Sequence, residues 1–144
     1  MNIAFFLLPK QEVATVTSDA TLRQTLERME YHRFTAVPIL SKDGKYEGTV
    51  TEGDLLWHMK NSRGEITFEN ASKYVLKDVP LRLHIKPVSI DANMEDLIKL
   101  AKVQNFVPVV DDMQRFIGIV RRSQIIEYCE DVMSRGSVKS DANL

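Results

Sequence analysis

Two short stretches carry side chains whose types and spacing could do chemistry. In Gly48-Thr49-Val50-Thr51-Glu52-Gly53-Asp54-Leu55-Leu56 a hydroxyl and a carboxylate stand three residues apart, where an apolar run gives way to helical spacing at Leu55, Leu56 and Met59. A carboxylate there can accept hydrogen bonds from two neighbouring sugar hydroxyls. The N–H groups that open a helix, with its dipole, favour a phosphate. The same pair also fits a capping box, in which the Thr51 oxygen takes a backbone N–H and the Asp54 carboxylate reaches back. Both roles can coexist. Arg121 and Arg122 hold the corresponding place farther on. Cations at a helix N-terminus oppose the macrodipole at roughly 0.3–1 kcal/mol each when exposed, and a bound polyphosphate reverses that sign. Solvated charges or ion pairs between subunits are the plainer reading of both arginines.

Positioning these residues takes strand, turn, strand and helix, in that order. Thr35 to Leu40 and Tyr46 to Thr51 flank Ser41-Lys42-Asp43-Gly44-Lys45, and Asp-Gly between apolar runs signals a hairpin because Gly accepts positive φ. The order returns in Phe106-Val107-Pro108-Val109-Val110, Phe116 to Val120 and Arg121 to Ile126. Pro38 and Pro108 lie 70 residues apart, as do Gly48 and Gly118, which points to an internal duplication. Upstream, Thr15-Val16-Thr17-Ser18-Asp19 parallels Pro87-Val88-Ser89-Ile90-Asp91. Ser18 or Asp19 is expected to cap a helix bearing Leu22, Leu26 and Met29, and Asp91 one bearing Met94, Leu97, Ile98 and Ala101. Each repeat therefore reads β-α-β-β-α. One unit leaves a sheet face bare, so a pair is the expected folding unit.

Other stretches fill in around this frame. Ile3 to Leu8, stopped by Pro9, reads as a packed terminal helix or strand, and Asn61 to Glu65 as the linker. A short helix is expected near Ala71 to Leu76 and a half-exposed strand at Leu81 to Ile85. Arg82, His84 and Lys86 there face water or phosphates. A last helix runs from about Arg122 to Met133. The divisions are 1–64 for the first repeat with its N-terminal element, 65–134 for the second, and 135–144 for a disordered tail.

Composition excludes several classes. With 44% apolar and 27% charged residues and a net charge of −1, the chain is ordinary globular protein without the basic excess that nucleic acid or an anionic membrane surface requires. The single Cys129 excludes a disulfide framework and a thiolate metal cage and reads as a packed thiol; His32, His58 and His84 have no metal spacing. The longest apolar run, Ile3 to Leu8, is too short for a membrane span. A cytoplasmic protein is expected. No nucleophile is paired with a base and no Gly-rich phosphate loop occurs, which argues against an enzyme. Trp57 is read as core or dimer interface, ahead of a base-stacking role.

With the repeat in place, Thr35-Ala36-Val37-Pro38-Ile39, Gly48 to Leu56, Phe106 to Val110 and Gly118-Ile119-Val120 resemble a tandem cystathionine-β-synthase (CBS) domain, or Bateman module, of the stand-alone bacterial type. The resemblance covers roughly residues 7 to 133. It implies an α/β (α+β) fold of two repeats with pseudo-twofold symmetry. It also implies a non-catalytic regulatory module that binds an adenosine-containing ligand (AMP, ADP, ATP, S-adenosylmethionine, a dinucleotide) in clefts between repeats and signals to a partner. By the family pattern Thr51 and Asp54 hold phosphate and ribose, while Ala14, Thr35 and Ala36 cradle adenine; a small residue such as Ala36 lets a flat base approach the strand. The second copy has Arg121 and Gln124 in place of the hydroxyl and acid, so one competent site per chain is expected. Arg121-Arg122 resembles the paired arginine of Gram-positive CBS pairs that sense cyclic di-AMP, from which this chain departs by keeping Asp54. The ligand stays open between AMP/ADP/ATP and cyclic di-AMP. The resemblance further implies a homodimer through the helices, with Leu55, Leu56, Met59, Ile125, Ile126 and Met133 as contacts. A purely structural dimerisation module with vestigial sites is the alternative, ahead of a small nucleotide-processing enzyme.

Overall fold

The structure, a computed structural model, describes the backbone of residues 2–142 and the side chains of residues 2–136. Its elements run β1 (Leu8–Pro9), β2 (Val16–Thr17), α1 (Leu22–His32), β3 (Ala36–Leu40), β4 (Tyr46–Thr51), α2 (Glu52–Asn61), β5 (Val88–Ser89), α3 (Met94–Ala101), β6 (Phe106–Val110), β7 (Phe116–Arg121) and α4 (Arg122–Ala142). They form a three-stranded sheet, β2-β3-β4, and a four-stranded sheet, β1-β7-β6-β5. In both, a short lead strand runs parallel to the middle strand, which pairs antiparallel with the next. Registers repeat at the offset of 70: Ala36 faces Thr51 as Phe106 faces Arg121, and each ladder slips at one place, between Ile39 and Leu40 and between Val109 and Val110. The α/β fold of two β-α-β-β-α repeats read from the paired landmarks is the one observed.

The two halves meet at their hairpin turns. Lys45 bridges Arg115, Tyr46 N–H donates to the Gln114 carbonyl at 3.3 Å, and Phe116 N–H donates to the Gly44 carbonyl at 2.8 Å. Tyr46 and Phe116, themselves one offset apart, stack across this pseudo-twofold with centroids 6.4 Å apart. The halves also exchange their leading segments. β1 adds to β7 of the second repeat, and Ile3 sits in the second core with Met94, Leu97 and Val107. In return Ala71, Leu76 and Val79, from the leading segment of the second repeat, complete the first core around Leu22, Val37 and Val50. This explains the glycine pair. A Cβ at Gly118 would run into the Leu8 carbonyl, and one at Gly48 would press on the Leu81 side chain.

Several expectations are corrected. α1 is capped by Thr21, in a capping box with Gln24, and α3 by Asn93, whose N–H donates to Asp96 at 3.0 Å. Ser18-Asp19 and Ile90-Asp91 instead form the turns leaving the lead strands, with Ala20 N–H on the Thr17 carbonyl and Ala92 N–H on the Ser89 carbonyl. Leu81 to Ile85 is not a strand, because side chains take its backbone groups where a ladder would have done so: Asp54 accepts from Arg82 N–H and the Tyr46 hydroxyl donates to the Ile85 carbonyl. Near Ala71 to Leu76 there are two 3-10 turns, Ala71–Lys73 and Leu76–Asp78. α4 continues to Ala142, through residues expected to be a disordered tail; a lone Gly136 costs a helix only about 1 kcal/mol and no proline follows it. Asn143 and Leu144 lie outside the described residues.

Candidate functional site

A cleft of about 250 Å³ opens between the repeats. Ala14, Thr35, Ala36 and Phe34 line it from the first repeat, and Asn105, Phe106 and Arg121 from the second, with Glu12 also in the lining. Its chemistry starts with Pro38. Ser18 N–H donates to the Leu40 carbonyl, and a parallel ladder steps back two residues at a time on each strand. The N–H that would reach the Ala14 carbonyl therefore belongs to position 38, and proline has none. Among the described residues neither the N–H nor the C=O of Ala14 has a protein partner, although Ala14 is only 5% exposed. A buried donor and acceptor side by side call for a ligand or water that offers the complementary pair. The apolar side chains of Ala36 and Phe106 suit a flat ring, and Arg121, exposed at the end of β7, supplies a cation for a phosphate.

The expected site residues fall into two groups. Ala14, Thr35, Ala36 and Arg121 share the cleft. Thr51 and Asp54 are not among its lining. Asp54 is 2% exposed; one carboxylate oxygen accepts from Thr51 N–H at 2.9 Å and the other from Arg82 N–H at 3.0 Å. The Thr51 hydroxyl accepts from Asp54 N–H at 3.2 Å, which completes the capping box of α2. The pair thus caps a helix and ties the leading segment of the second repeat to it at Arg82. Arg122 is engaged as well: its Nε donates to the Gln104 carbonyl at 3.1 Å and its N–H to the Asn105 carbonyl at 2.9 Å. Arg82 and Lys60 lie over the Trp57 ring, 5.4 Å and 5.6 Å from its centroid. Among the described residues no cluster of His, Cys, Asp or Glu could hold a metal.

Sequence reasoning missed Glu12, Phe34, Asn105 and Gln104. Phe34 and Gln104 share the offset of 70, and each stands just ahead of the strand that carries the mid-strand proline, so the repeat alone could have flagged them. Gln104 is 4% exposed. Its side chain accepts from Lys86 N–H at 3.0 Å and donates to the carbonyls of Lys86 and Phe106, both at 3.3 Å.

The comparisons with known proteins agree with this fold. The CBS domain model matches twice, at residues 7–61 and 76–135. The chain belongs to the CBS domain family. A CBS domain-containing protein of Dictyostelium discoideum is 26% identical over 132 residues, covering 88% of this chain and 91% of that one. Among solved structures, the CbpB protein of Listeria monocytogenes in complex with c-di-AMP superposes with a TM-score of 0.79 at 21% identity, covering 93% of this chain and 98% of that one. CBSX2 in complex with AMP superposes at 0.71 and 22%, covering 92% and 98%. The two matched repeats make up most of the chain. Among the described residues no helix is long and apolar enough to cross a membrane.

Proposed function

We propose that this CBS pair is a non-catalytic regulatory module that takes one adenosine-containing nucleotide per chain in the cleft between its repeats. The observation that carries the reading is the unpartnered N–H and C=O of Ala14, the carbonyl left open by Pro38, in a cleft that also holds Arg121. A base edge offers an acceptor next to an amino donor, and the pair at Ala14 is its complement. Ala36 admits the ring, Glu12 can accept from sugar hydroxyls, and Arg121 meets phosphate. The c-di-AMP and AMP bound by the two structural neighbours support this ligand class. At about 250 Å³ the cleft lies near the lower end of ligand pockets, about 300 Å³, which suits one base with its sugar. The second base of a cyclic dinucleotide would extend past it.

Regulation then follows from a ligand that binds two arrangements of the repeats with different affinity, a difference that a partner protein reads. The chain assembles as a homodimer in the cytoplasm. Leu56 and Phe68 are exposed beside a groove of about 530 Å³ on α1 and α2, and Ile126 and Met133 are exposed on α4. Leu55 and Ile125, counted above as dimer contacts, are instead buried in the two cores.

Isothermal titration of the full chain with AMP, ADP, ATP, S-adenosylmethionine and cyclic di-AMP tests the reading. Saturable heat with one site per chain is expected from at least one adenosine nucleotide, without turnover by chromatography. Folded protein that gives no heat with any of them would favour the purely structural module.

A further inference from the structure

We propose that Gln104 is a built-in occupant of a second nucleotide cleft and holds the chain to one ligand instead of two. This rests on the reading of the first cleft as a nucleotide site. The offset that carries Ala36 onto Phe106 carries Phe34 onto Gln104, and the surrounding bonds keep the equivalence. Glu52 N–H donates to the Thr35 carbonyl as Arg122 N–H does to the Asn105 carbonyl, both at 2.9 Å. Likewise the offset that carries β2 onto β5 carries Ala14 onto Lys86, with Pro108 standing to Lys86 as Pro38 stands to Ala14. Both halves therefore face the same problem: a lead-strand carbonyl that its neighbouring strand cannot satisfy.

They solve it differently. In the first half Phe34 has no polar atom to offer; it is 45% exposed and its ring lies parallel to that of His32, 5.7 Å away. The Ala14 pair stays open. In the second half Gln104 turns inward, and one carboxamide meets both groups of Lys86, accepting from N–H at 3.0 Å and donating to C=O at 3.3 Å. An acceptor next to an amino donor is the pattern that an adenine edge presents. Gln104 thus fills the second cleft in the manner of a base. In the ladders, Thr51 at the start of α2 holds the position that Arg121 holds at the start of α4, since Ala36 pairs with Thr51 as Phe106 pairs with Arg121.

Titration of the full chain with AMP and with cyclic di-AMP, comparing wild type, Gln104→Ala, Gln104→Ser and Phe34→Gln, tests this. The expected result is one site in wild type and two in Gln104→Ala. In Phe34→Gln, where the plug is transplanted, affinity at the first cleft is expected to fall by at least about tenfold. Circular dichroism establishes folding; if Gln104→Ala is unfolded, Gln104→Ser carries the count. No added site in a folded Gln104 variant, or unchanged affinity in Phe34→Gln, would overturn the proposal. A wild type that binds neither nucleotide would count against the first-cleft reading alone. One site appearing in a Gln104 variant would then still support the plug, and none would overturn it.

Discussion

Asp54 and Arg121 show how position decides the role of a charge. Asp54 has the chemistry to hold a ribose, but it is buried, and its two oxygens are already engaged by Thr51 and Arg82 N–H groups. Asp54→Ala is expected to lower unfolding free energy by about 1–3 kcal/mol, the cost of orphaning buried donors, and to leave nucleotide affinity within about twofold. Denaturant unfolding and titration of the same variant check both halves. Arg121→Ala should do the reverse, weakening a phosphate-bearing ligand by about tenfold to a hundredfold with little effect on stability, since a charge-assisted bond is lost from an exposed side chain. Tyr46 gives a pH signature. Burial pushes its phenol up to about 12, against the smaller opposing pull of the Thr49 hydroxyl. The folded chain therefore favours the neutral form, and its stabilisation is intact below the unfolded value of 10.0 and is lost as pH rises toward about 12. Tyr46→Phe should remove that alkaline loss and cost about 0.5–1.5 kcal/mol at neutral pH, through the bond to the Ile85 carbonyl. Thermal unfolding across pH 8 to 12 would show it.

At the scale of elements, the exchange of leading segments makes each half depend on the other. Gly118→Ala should push β1 off β7, since its Cβ meets backbone and cannot be absorbed by a rotamer change, at about 1–3 kcal/mol. Faster hydrogen exchange at Leu8 and Ile119 would accompany the loss; unaltered exchange there would contradict the role given to β1. The hairpins and their helices were legible in the sequence because Asp43-Gly44 is a local turn signal and Pro38 and Gly48 recur at one spacing as Pro108 and Gly118. Caps at Ser18, Asp19 and Asp91 were misplaced because polar residues suited to a cap suit the turn before it equally well. Leu81 to Ile85 alternates like a strand, yet its backbone partners are side chains distant in sequence, which no local pattern encodes.

For the whole molecule, the legible part of the site was its residue types, and the illegible part was which repeat faces which. Thr51 and Asp54 were grouped with Ala14, Thr35 and Ala36 by the family pattern. Across the pseudo-twofold, however, the cleft at Ala14 meets Arg121 of the other repeat. The exposed Leu56, Phe68, Ile126 and Met133 belong to the same scale. Light scattering should give twice the chain mass, and Leu56→Asp with Ile126→Asp should give the monomer; a wild-type monomer would remove the homodimer. The most direct test of the nucleotide reading is the amide resonance of Ala14 in an ¹⁵N-labelled sample titrated with AMP and with cyclic di-AMP. A downfield shift at Ala14, saturating at one ligand per chain with Thr51 and Asp54 little moved, is expected. Saturable shifts centred on Thr51 and Asp54, with Ala14 unchanged, would contradict it.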